Sequence, residues 1–285
     1  MIVIESIQGL FEWRANINNN QSIGLTPTMG GLHDGHLSLI RKSLKSCDVS
    51  IVSVFLNPKQ FGKKEDLKTY PSDLASDLKQ LELLGVDCVF TPTKDLMYLD
   101  DDVFVVLENK FSSVLEGQSR PDFFPGVLTV VSKLFNMTRP DNAYFGKKDA
   151  QQLILIGKLV EHMKYPINIV ACDTVRENNG LAMSSRNAYL DIENKERAKI
   201  IYLSLLEAKK MLDGGERNYK KVKKHILSVL TTEDNIVVDY ISIANSTTLQ
   251  ECDLEMGGRI LISIAVFCSG VRLIDNLFYN TKTTN

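Results

Sequence analysis

The stretch of sequence that decides the fold reads Ser22-Ile-Gly-Leu-Thr-Pro-Thr-Met-Gly-Gly-Leu-His33-Asp-Gly-His36-Leu37. It begins with a short apolar run at residues 22–26, which is typical of a buried strand. It ends where apolar residues recur at 3-4-3 spacing and so lie on one helix face, namely Leu37, Ile40, Leu44 and Cys47. Residues 49–56 then form a second apolar run. A strand, a helix and another strand in this order predict a parallel β-α-β unit.

The same alternation continues to about residue 175. Further strands are predicted at residues 88–91, 143–145 and 167–171, and helices are predicted where apolar stripes lie near residues 127–137 and 153–163. Ser72 is the predicted N-cap of a helix through Leu74, Leu78 and Leu81 that ends at Gly85. The pattern predicts an α/β domain over residues 1–175, with a Rossmann-like, mostly parallel sheet.

A second pattern begins near residue 176. Two amphipathic helices are predicted at residues 193–212 and 219–230, and two strands follow at 237–244 and 259–267. Helices followed by strands indicate a smaller C-terminal α+β domain at residues 176–285.

Composition excludes several classes of protein. Lys plus Arg number 33 and Asp plus Glu number 35 in the 285 residues, so the formal net charge of −2 argues against a nucleic-acid binder. The longest uncharged apolar stretch, at residues 260–271, is shorter than the roughly 20 residues of a membrane span, and it reads as a core strand. Residues 1–5 resemble no secretory signal. The five cysteines lack any C-x-x-C pair, which favours a reducing cytoplasm.

The segment at residues 29–36 is the first candidate site, because parallel sheets bind ligands beyond the carboxyl ends of their strands. Gly30, Gly31 and Gly35 permit a close backbone approach, and the following helix offers N–H groups to a phosphate. Two of the four histidines of the chain, His33 and His36, could donate to phosphoryl oxygens. They could also be metal ligands or helix caps without a chemical role. The spacing fits neither the P-loop nor the dinucleotide fingerprint.

Three later polar clusters follow predicted strands. Asn57 and Gln60 offer amides to a carboxylate or hydroxyl, unless residues 57–61 are only a turn. Residues 144–152, which include Lys147, Lys148 and Asp149, could hold phosphates and magnesium, or could be a capped helix with surface lysines. Residues 175–187 could clamp a phosphate through two serines and an arginine, or could be a linker between domains.

These residues resemble the pantoate–β-alanine ligase (pantothenate synthetase) family of the nucleotidylyl transferases. Residues 27–36 are similar to its histidine signature. The similarity continues in family order at residues 55–61, 65–71, 120–121, 126–136, 145–149, 151–152 and 176–190. It covers roughly residues 25–190 and implies a core fold similar to that of class I aminoacyl-tRNA synthetases.

The resemblance implies a two-step reaction. ATP and pantoate would form an enzyme-bound pantoyl adenylate and pyrophosphate, and the amine of β-alanine would then displace AMP and give pantothenate. His36 matches the proton donor of the family, and His33, Lys148 and Arg186 match residues that stabilise charge. The first domain would bind nucleotide and pantoate, and the second would carry the loop at residues 183–186.

The resemblance also assigns ligands. Gln60, Gln152 and Asn57 would bind pantoate, with Gln60 near the entry of β-alanine. Magnesium would bind mainly through ATP oxygens and water. The expected partners are small molecules and a second copy of the chain in a cytoplasmic homodimer. The residues assigned to ATP are Met29, Gly30, Gly31, Leu32, His33, Asp34, Gly35, His36, Gly146, Lys147, Lys148, Asp149, Val175, Met183, Ser184, Ser185 and Arg186.

The chain departs from the family pattern at four places. Ser72 stands where the family usually has arginine. After Arg120-Pro121 the family usually has Gly-His-Phe, and this chain has Asp122-Phe123-Phe124. Lys147 and Ala150 stand where the family commonly has Glu and Tyr. None of these changes removes a residue to which the resemblance gives a chemical role. They affect the surroundings of the pantoate and nucleotide pockets.

Three other functions are compatible with parts of the sequence. An adenylyl transferase acting on a phosphorylated acceptor shares a histidine signature, but the Asn57/Gln60 and Gln151/Gln152 clusters are not expected in it. A tRNA synthetase would need an anticodon-binding domain, for which the chain has little length. A non-catalytic nucleotide-binding regulator could lose one motif, yet His33, His36, Lys148 and Arg186 are all present.

Overall fold

The computed structural model describes residues 1–63, 65–107, 111–252 and 258–281. The chain forms two compact units. The first consists of Met1–Lys147 and Gln152–Asp173, and the second of Lys148–Gln151 and Thr174–Asn285. None of the helices in the described ranges has both the length and the apolar character that a membrane crossing requires.

Within the described ranges, the first unit holds one six-stranded sheet whose neighbouring strands are all parallel. Its strands are β1 (Ile2–Ile4), β2 (Ile23–Thr28), β3 (Val49–Val54), β4 (Cys88–Phe90), β5 (Asn142–Gly146) and β6 (Asn168–Cys172). The helices along the same part of the chain are α1 (Ile7–Ala15), α2 (Asp34–Ser46), α3 (Leu74–Leu84), α4 (Lys94–Met97), α5 (Glu116–Ser119), α6 (Phe123–Thr138) and α7 (Ala150–Met163). The predicted Rossmann-like architecture is confirmed.

The strand order β1-β4-β3-β2-β5-β6 places β2 at the topological switch point. After β2 the chain adds β3 on one side, and β5 later joins β2 on the other side. Ligands bind at such a point in open parallel sheets, because the two adjacent loops diverge there. The glycine-histidine segment begins there, directly after β2.

Buried aliphatic side chains from two hydrophobic clusters support this segment. Leu25 of β2, Ile51 of β3 and Ile40 of α2 are fully buried. Burying one such side chain contributes about 1.5–3 kcal/mol to the free energy of unfolding. Residues 29–36 therefore leave the sheet from a firmly packed base.

A glycine allows α6 to approach the turn after β3. A Cβ atom on Gly126 would lie 2.2 Å from the carbonyl oxygen of Lys59, which is far inside van der Waals contact. Any larger residue at position 126 would push α6 away from the short 3₁₀ helix Pro58–Gln60.

Two local predictions for this unit were wrong or incomplete. The N-cap of α3 is Asp73, not Ser72, since the Asp73 carboxylate accepts a hydrogen bond from the Ser76 N–H at 3.1 Å. Gly85 ends the helix as predicted, with φ of 80°. Strand β1 and helix α1 were not predicted, because β1 has only three residues and extends into exposed positions.

The second unit contains α8 (Ile192–Ala198), α9 (Ile200–Asp213) and α10 (Tyr219–Leu230), followed by β7 (Ile236–Asn245), β8 (Arg259–Cys268) and β9 (Val271–Asn280). The strands form an antiparallel sheet in the order β7-β8-β9. The helices α9 and α10 bury their apolar faces together with this sheet in one core.

The predicted single helix at residues 193–212 is wrong. It is interrupted at Lys199, whose N–H bonds to the Arg197 carbonyl instead of continuing the helical pattern. Strand β9 was not predicted, because the apolar stretch at 260–271 reads as one strand. Ser269 and Gly270 both have positive φ, 48° and 84°, and turn the chain so that Val271 pairs with Cys268. Two such residues form the tight hairpin turn that matches strand twist.

Candidate active site

The glycine segment turns sharply as it leaves β2. Gly30 and Gly31 have φ of 82° and 62°, in the left-handed region that side chains disfavour. The Thr28 hydroxyl donates to the Ser53 carbonyl at 2.8 Å and accepts from the Gly30 N–H at 3.3 Å. The end of β2 is thereby tied to the end of β3.

A buried carboxylate holds the next two residues. Asp77 of α3 accepts the Gly31 N–H at 2.9 Å and the Leu32 N–H at 2.8 Å, and it is 2% exposed. Burial raises the pKa of Asp77, while the hydrogen bonds from Leu32 and Gly31 oppose that rise. These two N–H groups are thus used to shape the loop.

The two histidines lie side by side at the start of α2. His33 is the N-cap, and its Nδ1 accepts the Gly35 N–H at 3.1 Å. The His33 and His36 ring centroids are 4.1 Å apart, with 34° between the ring planes. Because Nδ1 of His33 is an acceptor, the ring hydrogen resides on Nε2. The pair therefore presents imidazole groups beside the positive end of the helix dipole.

Asn57 and Gln60 form a buried pair in the turn after β3, with 1% and 8% exposure. Asn57 Nδ2 donates to Gln60 Oε1 at 2.9 Å and to the Gly126 carbonyl at 3.1 Å. Gln60 Nε2 donates to Met29 Sδ at 2.9 Å. The structure thus brings Asn57 and Gln60 into contact with Met29, a residue of the other predicted segment at residues 29–36.

Arg120 secures the same turn from another direction. It donates to the Gln60 carbonyl at 3.2 Å and forms a two-point ion pair with Glu65. Its guanidinium carbon lies 3.9 Å from the ring centroid of Phe123, one of the departures from the family pattern. Phe123 therefore provides a stacking surface for the guanidinium of Arg120.

Lys147 is already engaged in the first unit. It follows Gly146 at the end of β5, and its Nζ lies 2.6 Å from Asp173 Oδ1, just after β6. Lys147 lowers the pKa of the Asp173 carboxyl through this hydrogen bond. The positive charge that Lys147 adds, where the family commonly has Glu, is therefore balanced by the carboxylate of Asp173. Gln152 lies half-buried in α7.

Lys148 and Asp149 belong to the second unit and are half-buried. The Lys148 carbonyl accepts a hydrogen bond from Asn276 Nδ2 at 2.7 Å, so β9 fixes the backbone at this position. This hydrogen bond involves the carbonyl of Lys148 and not its side chain. The neighbouring departure, Ala150, is 4% exposed.

A small hairpin carries the segment after Val175. The Val175 carbonyl accepts the Met183 N–H at 3.0 Å, and Arg176 pairs with Ala182. Arg176 forms a two-point ion pair with Asp275, at 2.5 and 3.0 Å, and its guanidinium carbon stacks 3.6 Å from the centroid of Tyr202. Arg176 therefore holds the hairpin to β9.

The serine-arginine segment begins at the end of this hairpin. Ser184 caps a 3₁₀ helix, Ser185–Tyr189, and its hydroxyl accepts the Arg186 N–H at 3.3 Å. Asn187 is buried and donates to Glu177 and to the Ala182 carbonyl, at 2.7 and 3.1 Å. The hairpin thus sets the positions of Ser184, Ser185 and Arg186.

Two supporting residues were missed in the sequence, Asp77 and Tyr98. Asp77 lies three residues after Leu74 and four before Leu81, which places a carboxylate on the apolar face of α3. Because a carboxylate is rarely buried without a partner, this position could have indicated a structural role. The Tyr98 hydroxyl donates to Asn57 Oδ1 at 2.7 Å, across 41 positions of sequence. No local pattern indicates such a pairing.

Comparison with known proteins shows extensive similarity. The model of the pantoate-beta-alanine ligase family matches residues 2–278. Pantothenate synthetase from Acetivibrio thermocellus is 46% identical over 97% of this chain and 99% of its own length. That from Caldicellulosiruptor bescii is 42% identical over 99% of this chain and 100% of its own length.

Solved structures show the same similarity. The crystal structure of pantothenate synthetase from Thermus thermophilus has a TM-score of 0.91 and 35% identity, over 97% of this chain and 99% of that one. Pantoate-beta-alanine ligase from Francisella tularensis, complexed with beta-gamma ATP and beta-alanine, has a TM-score of 0.80 and 35% identity, over 99% and 98% of the two chains. Because the family model and these relatives span nearly the whole chain, it is an enzyme of the pantoate–β-alanine ligase family.

Proposed function

We propose that this enzyme condenses pantoate with β-alanine through a pantoyl adenylate. In the first step a carboxylate oxygen of pantoate attacks the α-phosphorus of ATP, and the bond to the β-phosphate breaks to release pyrophosphate. In the second step the β-alanine amine attacks the acyl carbon, loses a proton, and displaces AMP. Family membership supports the substrates, and the order of steps follows because a free carboxylate is a poor acyl donor.

The observation that carries the proposal is the pair of histidines at the start of α2. Their rings are 4.1 Å apart beyond the carboxyl end of β2, where a nucleotide is expected. His36, as the proton donor, and His33 would stabilise charge at the α-phosphate and on the departing pyrophosphate. Asp77 would keep residues 29–36 in the shape that admits ATP.

Gln60 is the proposed ligand of pantoate in the first unit. An amide N–H binds a carboxylate or hydroxyl oxygen, and Gln60 Nε2 faces Met29 of the glycine segment. Asn57 is nearly inaccessible, so its contribution to pantoate binding is made through Gln60. Gln152 of α7 would complete the pantoate ligands, and Gln60 would also lie near the entering β-alanine.

The second unit would supply further contacts to ATP. Lys148 and Arg186 carry the positive charges suited to phosphate, and Ser184 and Ser185 add hydroxyl groups. Val175 and Met183 are fixed by the hairpin and would contact the adenosine part. Gly146, Lys147 and Asp149 continue the proposed nucleotide site between strand β5 and helix α7.

Magnesium would accompany ATP without a dedicated protein cage. No group of three or more His, Cys, Asp or Glu side chains in the described ranges is placed to hold a metal. Bound through phosphate oxygens and water, the ion would offset phosphate charge.

We further propose a cytoplasmic homodimer that takes only small-molecule substrates. The family resemblance supports the dimer, and the five cysteines, which form no disulfide with one another, support a reducing compartment. Sedimentation at micromolar protein concentration is expected to give a mass of two chains, and a single-chain mass would contradict the dimer.

ATP–pyrophosphate exchange tests the proposed activity. Label from pyrophosphate is expected to enter ATP only when pantoate is present, and without any need for β-alanine, because the adenylate forms before the amine reacts. A phosphorylated acceptor such as phosphopantetheine serves as the control substrate. Exchange driven equally well by that acceptor would instead favour an adenylyl transferase, and no exchange with either would favour a regulator.

A further inference from the structure

Asn57 has every hydrogen-bonding position of its amide occupied inside the protein. Its two N–H groups donate to Gln60 Oε1 and to the Gly126 carbonyl. Its oxygen accepts the Tyr98 hydroxyl at 2.7 Å and the Lys59 N–H at 3.3 Å. With 1% exposure, Asn57 has neither a free N–H nor accessible surface to offer a ligand.

Two backbone groups fix the direction of this amide. The Lys59 N–H can only donate and the Gly126 carbonyl can only accept, so a flipped Asn57 would face like groups on both sides. Asn57 must therefore present its N–H to Gln60. Gln60 accepts with its oxygen and directs its own N–H groups the other way, toward Met29 at the start of the glycine segment.

Tyr98 provides the shortest bond to Asn57 and is itself firmly held. Its ring packs 6.2 Å from Phe55 between centroids, and Lys133 Nζ lies 4.9 Å over the ring. The same Lys133 donates to the Met97 carbonyl at 2.6 Å and pairs with Asp102. Burial and the Asp102 charge raise the pKa of Tyr98, so the hydroxyl keeps its proton at neutral pH.

We propose that Tyr98 is a positioning residue for the acid substrate: its hydroxyl holds Asn57 against the two backbone groups that set the direction of the amide, and Gln60 therefore presents N–H groups instead of its carbonyl. This inference rests on the proposed function, because it requires that Gln60 binds an oxygen of the substrate. Pantoate offers carboxylate and hydroxyl oxygens, and an amide carbonyl turned toward a carboxylate would repel it. Tyr98 thus stabilises the polarity of a pocket that its own hydroxyl does not contact.

The first test is Tyr98→Phe, which keeps the ring and removes the hydroxyl. The KM for pantoate is expected to rise about tenfold, the scale of losing one buried hydrogen bond, while kcat and the KM for ATP change less than about twofold. Tyr144→Phe is the matched control. Tyr144 is also buried and also loses a hydroxyl bond, to Ser46 at 2.5 Å, but it does not contact Asn57.

A double-mutant cycle separates positioning from a general loss of packing. In a Gln60→Met background, Tyr98→Phe is expected to change kcat/KM for pantoate by less than about twofold, because its effect passes through Gln60. An undiminished tenfold fall in that background would overturn the inference. Equal effects of Tyr98→Phe and Tyr144→Phe on pantoate, in proportion to their losses of thermal stability, would also overturn it.

Pyrophosphate exchange by the unmodified enzyme distinguishes a failure of the inference about Tyr98 from a failure of the proposed function. If it catalyses pantoate-dependent pyrophosphate exchange but the cycle is additive, the inference about Tyr98 is wrong and the proposed function stands. If it catalyses no such exchange, the proposed function is wrong and the inference falls with it.

Discussion

Replacement of His36 by alanine is expected to lower the rate of pantoyl adenylate formation by on the order of 100-fold or more, which is the effect of removing a preorganised donor to transition-state charge. The fold should survive, because His36 is only partly buried in the first turn of α2 and alanine favours a helix. The capping bond made by His33 does not involve the His36 side chain.

Single-turnover formation of adenylate and pyrophosphate, with enzyme in excess over ATP, measures this step directly. His162→Ala is the matched control, since His162 is exposed in the last turn of α7 and makes no proposed contact with substrate. An unchanged single-turnover rate for His36→Ala would remove His36 from the chemical step.

Replacement of Asp77 by asparagine is expected to have the second-largest effect, on both stability and ATP binding. An amide can accept only one of the two N–H groups from Gly31 and Leu32, and its own N–H₂ would oppose the other. We expect the free energy of unfolding to fall by about 2 kcal/mol, the cost of leaving a buried N–H without an acceptor. The KM for ATP should rise about tenfold as residues 29–36 lose their shape.

Asp73→Asn is the matched control for this change. It removes one carboxylate from the same helix, but asparagine caps a helix as well as aspartate does, so stability should change by less than about 0.5 kcal/mol. Urea unfolding and steady-state kinetics at varied ATP give both quantities. Equal behaviour of the two variants would show that Asp77 does not hold the glycine segment.

The sequence was sufficient for the parts of the fold that follow from periodicity. The strand at 22–26, the stripe of Leu37, Ile40 and Leu44, and the strand at 49–56 each repeat a pattern over enough residues to be distinctive. Strand β1 could not be predicted this way, because its three residues gain their structure from pairing with β4. The break at Lys199 lies inside a continuous helical pattern of the sequence, so no local signal marks it.

For the candidate site, the sequence indicated candidate residues but not how their side chains are oriented. His33 illustrates this, since the cap and the phosphate donor were alternatives in the sequence, and the structure shows the cap while leaving Nε2 as a donor. Lys147 could be placed near the nucleotide, but its pairing with Asp173 crosses 26 positions. The direction of the Gln60 amide depends on Gly126, 66 residues further along the chain.

The central claim is that AMP activates the carboxylate of pantoate. Pantoate labelled with ¹⁸O in its carboxylate, incubated with unlabelled ATP and β-alanine, tests this most directly by mass spectrometry of the products. We expect AMP to gain one labelled oxygen and pyrophosphate to gain none, because the oxygen that attacks the α-phosphorus leaves with AMP. Unlabelled AMP, or label in a phosphate released from the other end of ATP, would contradict it.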